Sequence, residues 1–484
     1  MDEPASPSPT PRKDGVLKRI LEEMGLVSMY LSSRDVKLLC LQRFVRMFAY
    51  GLSTLILVAY LDALGTPKTQ IGLFMTLTLV GDICISFFLT LFADALGRRA
   101  ILALGAVLMS ASGVVFALFG TYWVLLIAAI VGVISPSGNE IGPFRAIEES
   151  IVAQLTDPRK RSDVYAWYSL LGLVGAACGC MACGWVLQYL TETLRWDIVR
   201  AYRAIYVGYA ILGLFKLTLT VLLSHSVESE KKRQQSRARD DERRPLLESS
   251  AQANSPPNRG LRWLFPDVSK ESVPVVITLC LLFALDSFGS GLAPLSWITY
   301  YFKYQFNIEE GKLGSIFFVT QTIAGASLIV ASSLAKRFGN VNTMVFTHLP
   351  SQIFRALLGV PSDVHLALAF LILNASTQAM DTGPRSAFLA TIVLPGERTA
   401  VMGTVNVVKT TAQSLGPILT GFLVDRNLFW VSFACSGGLK AAYDLGLLAF
   451  FKEKERERER AERRRIQEEE DGQHDHSESL SDGA

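Results

Sequence analysis

Apolar residues along this chain are gathered into long runs that are separated by short polar segments. A run of about 20 apolar residues is long enough to cross the hydrocarbon core of a bilayer as an α-helix. Membrane-spanning strands would instead show alternating segments of about ten residues, and the sequence shows no such alternation. The pattern therefore predicts an all-α membrane protein with twelve transmembrane helices, at residues 36–61, 69–92, 99–119, 122–147, 163–189, 201–224, 273–300, 312–334, 341–360, 363–386, 401–424 and 427–451.

The second half of the chain repeats landmarks of the first half at a shift of about 241 residues. Parallel halves related by an axis along the membrane normal occur in secondary transporters, whose solute site lies between the halves near the midplane. We therefore expect two pseudo-symmetric six-helix bundles with a solute site between them. The repeated landmarks are Gly72 and Gly314, Gly97 and Gly339, Gly142-Pro143 and Gly383-Pro384, and Gly175 and Gly416.

Polar segments divide the chain into five regions. An even number of spans places both termini on one side, and the loops on that side carry more basic residues than the opposite loops. The positive-inside rule then predicts that both termini are cytosolic. The expected regions are a disordered cytosolic tail at 1–35, a six-helix bundle at 36–224, a cytosolic linker at 225–272, a second bundle at 273–451 and a charged cytosolic tail at 452–484.

Composition argues against a soluble enzyme. Half of the residues are hydrophobic and 19% are charged, whereas a soluble domain carries about a quarter charged residues. The seven cysteines fall in predicted spans, where packing is the default role, so we expect neither a disulfide framework nor a metal site. The sequence offers no nucleotide-binding loop and no nucleophile with a base. We therefore expect neither catalysis nor a cofactor.

One short sequence pattern in the linker is typical of a membrane-sorting signal. Glu242 stands four residues before the pair Leu246 and Leu247, which resembles the acidic dileucine sorting signals of eukaryotic membrane proteins. Chance is the alternative, because patterns this short are common. The expected location is the plasma membrane or a vacuolar or lysosomal membrane.

The segment from Leu91 to Arg99 resembles the loop between helices 2 and 3 of the major facilitator superfamily, and the chain resembles fungal members of that family. The resemblance covers residues 36 to 451 and implies two six-helix bundles, alternating access and, in many members, proton coupling. It also implies that a charge cluster holds the halves together as a conformational latch. Lys336 stands where the second copy would carry the acid, so only the first copy is expected to act. The latch residues are Asp94, Gly97, Arg98 and Arg99.

Ionisable residues inside predicted spans are costly and usually face a cavity or a partner. Arg43 and Arg46 share a face of helix 1, and Arg46 corresponds in the repeat to Asp286, each five residues before a glycine. We expect Arg46 and Asp286 to approach each other across the cavity. The alternative is that both arginines reach back to the cytosolic surface.

Asp82 lies in the middle of helix 2 with no basic residue nearby in sequence. A carboxyl in nonpolar surroundings holds its proton readily, so Asp82 is the expected proton carrier of the cavity. A hydrogen-bonded structural role is the alternative.

Helices 4 and 10 carry the clearest polar repeat. Glu140 and Asp381 each stand two residues before a Gly-Pro pair, and Arg145 and Arg385 follow shortly after. Glycine and proline weaken helix hydrogen bonding and predict a kink there. These four residues are expected to form the gate or coupling site, with a substrate site as the alternative. Glu148 and Glu149 are expected at the cytosolic end, pairing with the basic residues at 159–161.

Taken together, these features predict a monomeric secondary transporter that binds a small polar or anionic solute and moves it with protons, without a nucleic-acid partner. The arginines of the spans favour an anion. Two alternatives remain open. A multidrug or toxic-metabolite exporter would need an aromatic, acidic cavity without central arginines. A non-transporting sensor or scaffold on a carrier fold would need long folded tails, which the sequence does not offer.

Overall fold

The computed structural model describes residues 26–132, 134, 143–157, 160–228, 272–393 and 397–452. Within these ranges the side chains at 87–95, 143, 162, 329, 332, 336, 390–391 and 398–400 are not described. The described residues form helices joined by short connections, and they contain no β-strand.

The first half contains eight described α-helices. They are α1 (Leu26–Leu31), α2 (Arg34–Ala63), α3 (Lys68–Leu96), α4 (Arg98–Leu118), α5 (Tyr122–Val131), α6 (Pro143–Leu155), α7 (Arg161–Gln188) and α8 (Ile198–Val221).

The second half contains another eight described helices. They are α9 (Val273–Leu292), α10 (Leu295–Phe306), α11 (Glu310–Phe338), α12 (Asn340–Leu357), α13 (Val364–Gln378), α14 (Thr382–Ile392), α15 (Arg398–Asp425) and α16 (429–452).

The all-α membrane architecture predicted from the apolar runs is confirmed. Seven helical segments of the described chain are long and apolar enough to cross a bilayer, and each of the twelve predicted spans overlaps at least one helix. The exact number of crossings stays a prediction. The span at 273–300 was expected to be continuous, but α9 ends at Leu292 and α10 begins after Pro294, because proline cannot continue the hydrogen bonding of the preceding turn.

Glycines of the repeat occupy equivalent structural positions. Gly97 and Gly339 have φ angles of 96° and 82°, and they directly precede α4 and α12. Only glycine adopts this backbone conformation readily. Gly51 packs α2 against the backbone of Ala176 on α7, and Gly291 packs α9 against the backbone of Gln413 on α15. A Cβ atom at Gly51 or Gly291 would overlap these neighbours, so each half depends on the same close helix contact.

The two halves meet at the end of the molecule opposite the first described residues. Gly72 at the start of α3 lies against Gly421 near the end of α15, and Gly314 at the start of α11 lies against Gly184 near the end of α7. The carboxylate of Asp425 accepts hydrogen bonds from two backbone N–H groups at the start of α3, at 3.1 and 2.8 Å. This end of the molecule is therefore closed by direct packing of helices.

Candidate functional site

A cavity of about 930 Å³ lies between the two halves. Its described lining combines polar and apolar residues, and most of its charged and ionisable residues come from the second half. Those second-half residues are Asp286, His348, Arg355, Asp381, Arg385, Lys409 and Lys440. Amide side chains complete the polar surface, and they are Gln321, Gln352, Asn374, Gln378, Asn406 and Gln413. The cavity is thus suited to a solute that forms hydrogen bonds and ion pairs.

Asp286 organises the charges on one side of the cavity. Its carboxylate accepts from the Lys440 ammonium at 2.6 Å and from the Arg385 guanidinium at 3.0 Å. Arg385 also pairs with Asp381, one turn earlier in the chain. Asp286, Arg385 and Lys440 lie on α9, α14 and α16. This network therefore connects three helices of the second half. The side chain of Asp286 is buried, and both cations are needed to offset its removal from water.

Lys409 differs from Arg385 and Lys440, which pair with Asp286. It lies on α15, and its ammonium stands 5.4 Å from the ring centre of Phe283. Within the described part of the chain it forms no ion pair with a carboxylate. A cation–π contact compensates a buried charge only partly. Lys409 therefore presents positive charge to the cavity that a solute could neutralise.

The first half holds a second charge cluster behind the cavity. Both oxygens of the buried Glu148 accept from Arg46, at 3.0 and 2.8 Å, and the Tyr168 hydroxyl donates to the same carboxylate at 2.6 Å. The Lys216 ammonium lies 3.8 Å from Glu148, and the Arg43 guanidinium lies over the Tyr168 ring at 4.6 Å. Helices α2, α6, α7 and α8 are joined by this cluster.

The two clusters are related by the repeat but carry opposite charges on equivalent helices. Arg46 on α2 pairs with Glu148 on α6, whereas Asp286 on α9 pairs with Arg385 on α14. A lysine completes each cluster, from α8 in the first half and from α16 in the second. Each cluster therefore pairs its buried charges within its own half.

This internal pairing corrects two expectations. The expected pair of Arg46 with Asp286 is wrong in this structure, because equivalent positions in a repeat lie on opposite sides of its axis and each charge has a closer partner in its own half. Glu148 was expected to pair with the basic residues at 159–161. It is instead 0% exposed and bound to Arg46, because α6 turns this residue toward α2.

Three residues expected in the cavity do not line it in this conformation: Arg43, Arg46 and Asp82. Asp286 does. Asp82 is 2% exposed, and neither of its carboxylate oxygens has a hydrogen-bonding partner in the described structure. An unpaired carboxylate is very costly in nonpolar surroundings, so this burial favours the neutral form of the side chain. Its part in transport stays a prediction.

The expected gate residues are divided between described and undescribed parts of the chain. Arg145 and Glu149 lie at the cavity and pair with each other at 2.7 Å. Asp381 and Arg385 belong to the Asp286 network. Glu140 lies outside the described residues, as do the sorting-signal residues Glu242, Leu246 and Leu247.

The expected latch is described only in part. The tight turn predicted at Gly97 is present. The backbone N–H of Arg98 donates to Glu228 at 3.0 Å, and its side chain donates to Gln154 at 2.8 Å, while Arg99 donates to the carbonyl of Val221. These contacts all lie within the first half. The side chain of Asp94 is outside the described residues, and the latch function stays a prediction.

Sequence reasoning missed several charged residues of the two clusters and of the cavity. The available signal was the presence of an ionisable residue within an apolar run, which marks a functional position by default. The missed residues are Lys216, His348, Arg355, Lys409, Lys440 and Asp444.

Sequence comparison finds matches that extend over most of the chain. The family model described as Major Facilitator Superfamily matches residues 39–349 and 278–473. A Saccharomyces cerevisiae protein described as an uncharacterized membrane protein, YJR124C, is 37% identical over 436 residues. The aligned region covers 88% of this chain and 96% of the yeast protein.

Solved structures of transporters share the fold. The nucleoside transporter NupG superposes with a TM-score of 0.63 at 14% identity, over 87% of this chain and 100% of that chain. The inward-open xylose transporter XylE from E. coli gives 0.63 at 16% identity, over 86% and 96%. The human organic anion transporter MFSD10 gives 0.55 at 18% identity, over 86% and 99%. At these identities the likeness shows the fold alone.

Proposed function

Because this chain belongs to the major facilitator superfamily, we propose that it carries a small anionic solute across a membrane by alternating access, coupled to the movement of protons. The family and the fold are those of secondary transporters rather than enzymes. We base the proposals that the solute is an anion and that protons drive its movement on the charged residues of the cavity.

The observation that carries the proposal is Lys409. It lines the cavity and lacks a carboxylate partner in the described part of the chain, whereas Lys440 and Arg385 are bound to Asp286. The described basic side chains of the lining outnumber the acidic ones. The basic ones are Arg145, Arg355, Arg385, Lys409 and Lys440, and the acidic ones are Glu149, Asp286 and Asp381. An excess of positive charge in a pocket of low dielectric favours an anion and disfavours a lipophilic cation.

The solved transporters with this fold support the size and polarity of the proposed solute. Their names describe carriers of nucleosides, xylose and an organic anion, all of which are small and polar. The amides around Lys409, such as Asn406 and Gln413, would bind the uncharged polar groups of such a solute.

Alternating access follows from how the two halves meet. With cytosolic termini, as the loop charges predict, the helix contacts at Gly72 and Gly314 close the outer side and the cavity belongs to an inward-facing state. Transport then requires these contacts to open while the halves close on the cytosolic side. The proposed latch around Asp94 and the proposed gate around Arg145 would take part in that second closure.

Ligand-dependent thermal stabilisation of the purified carrier tests the anion proposal. Monocarboxylates, dicarboxylates, phosphate esters, nucleosides and sugars would be compared. We expect stabilisation by an anionic class, and Lys409→Gln should weaken binding by about 10- to 100-fold, since a charge-assisted hydrogen bond contributes about 1.5–3 kcal/mol.

Lys312→Gln is the matched control, because Lys312 is an exposed lysine that pairs with Glu309 away from the cavity. Stabilisation by neutral solutes alone, with the same affinity in Lys409→Gln, would contradict the proposal.

A further inference from the structure

One wall of the cavity contains a histidine whose imidazole ring contacts a buried carboxylate. His348 on α12 lines the cavity, and its Nδ1 lies 2.9 and 3.0 Å from the two oxygens of Asp444 on α16. The ring of Tyr443 packs edge-on against the imidazole, with centroids 6.2 Å apart. Because Nδ1 is engaged by Asp444, Nε2 is the nitrogen left for exchange with the cavity.

The pair can change its charge by one proton. Asp444 is 0% exposed, and among the described residues His348 is its only hydrogen-bonding partner. A buried carboxylate needs a compensating positive charge. An imidazolium supplies that charge and gives the pair no net charge, whereas a neutral imidazole leaves a net charge of −1. The net charge of the pair therefore depends on whether it holds this one proton.

The surrounding charges do not supply that cation in this conformation. Lys440 lies one helical turn before Asp444, but its ammonium is bound to Asp286, and Arg385 is bound to Asp286 and Asp381. From α13 the described lining offers neutral groups such as Asn374. The charged and titratable groups around the pair are Lys440 and Tyr443 on α16, Asp286 on α9, Asp381 and Arg385 on α14, Arg355 on α12 and Lys409 on α15.

We propose that the His348–Asp444 pair is the proton-binding site that couples this carrier to a proton gradient, with the proton on the imidazole in the solute-loaded state. This inference rests on the proposed function as an anion carrier. An anion bound at Lys409 adds negative charge to the same cavity and so stabilises the imidazolium. By reciprocal linkage, the proton strengthens binding of the anion. Asp82 lies outside the cavity lining and lacks this direct link to the solute.

A pH jump without any solute tests the site. Proteoliposomes containing the full chain would be adsorbed on a solid-supported membrane, and the charge displaced by a step in pH would be recorded. A proton that enters a buried site crosses part of the membrane field and gives a transient current. We expect a saturable current in the wild type and a loss of at least tenfold in His348→Gln and in Asp444→Asn.

His365→Gln is the matched control, because His365 is exposed and lies outside the cavity lining. Asp82→Asn is the competing variant and should retain the current. Since His348→Gln leaves Asp444 buried without its partner, His348→Gln/Asp444→Asn keeps a neutral hydrogen-bonded pair for the case in which a single variant does not fold. Size-exclusion profiles would identify folded variants.

Two results would overturn the assignment. One is a current that persists in the folded double variant, above all if Asp82→Asn removes it. The other is the absence of a current in the wild type. Because no solute is present, failure here is distinct from failure of the anion proposal, which the thermal stabilisation experiment decides separately.

Discussion

Glu148 holds the charge cluster of the first half together, and its removal should be more damaging than removal of any cation around it. In Glu148→Gln, Arg46 and Lys216 both lose the carboxylate that they face at 2.8 and 3.8 Å. Breaking one side of a buried ion pair costs about 3–5 kcal/mol. Arg46→Met should cost less, about 2 kcal/mol, because Lys216 and the Tyr168 hydroxyl still compensate Glu148.

Thermal unfolding with a thiol-reactive dye measures this difference, since the buried Cys40, Cys180 and Cys183 become accessible on unfolding. We expect Glu148→Gln to lower the Tm by about 6–10 °C and Arg46→Met by roughly half as much. Glu149→Gln is the adjacent control. Its pair with Arg145 is partly exposed, so the expected change is small. A Tm for Glu148→Gln equal to or above that of Arg46→Met would refute the reasoning.

Three further predictions concern the transport cycle. Gly72→Leu should hold the carrier open on the outer side, because any side chain there overlaps the backbone of α15. Increased labelling of a cysteine introduced into the cavity lining by Ser290→Cys, with an impermeant thiol reagent added on that side, would show it, and unchanged labelling would count against it. Asp82→Asn should retain gradient-driven accumulation, because the coupling proton is assigned to His348 and Asp444 and Asp82 lies outside the cavity lining; loss of accumulation with counterflow spared would return the proton path to Asp82. Asp94→Asn should reduce transport at near-normal abundance, and an unchanged rate in proteoliposomes would argue against the latch.

Helix positions and the repeat could be predicted because they depend on local properties of the sequence. Apolar run length located the spans, and the glycines at 97 and 339 marked turns that only glycine makes easily. The break at Pro294 was missed because the apolar run continues across it.

The partners of the charged residues could not be predicted in the same way. Pairing depends on the rotation of each helix about its axis and on which helices are neighbours. The repeat places Arg46 and Asp286 at equivalent positions in the two halves. Two positions that are equivalent about a rotation axis lie close together only when both are near that axis. Lys409 and His348 were visible as ionisable residues in apolar runs. Their proposed roles depend on their contacts in the structure. Among the described residues, Lys409 forms no ion pair with a carboxylate.

The account centres on the claim that this protein is a proton-coupled carrier of an anion, and transport in proteoliposomes tests it most directly. Vesicles would be given an imposed pH gradient and the radiolabelled anion that stabilises the purified protein. We predict accumulation inside above the equilibrium level, collapse of that accumulation by a protonophore, and loss of it in Lys409→Gln. Uptake that only reaches equilibrium, with or without the pH gradient, would contradict the claim.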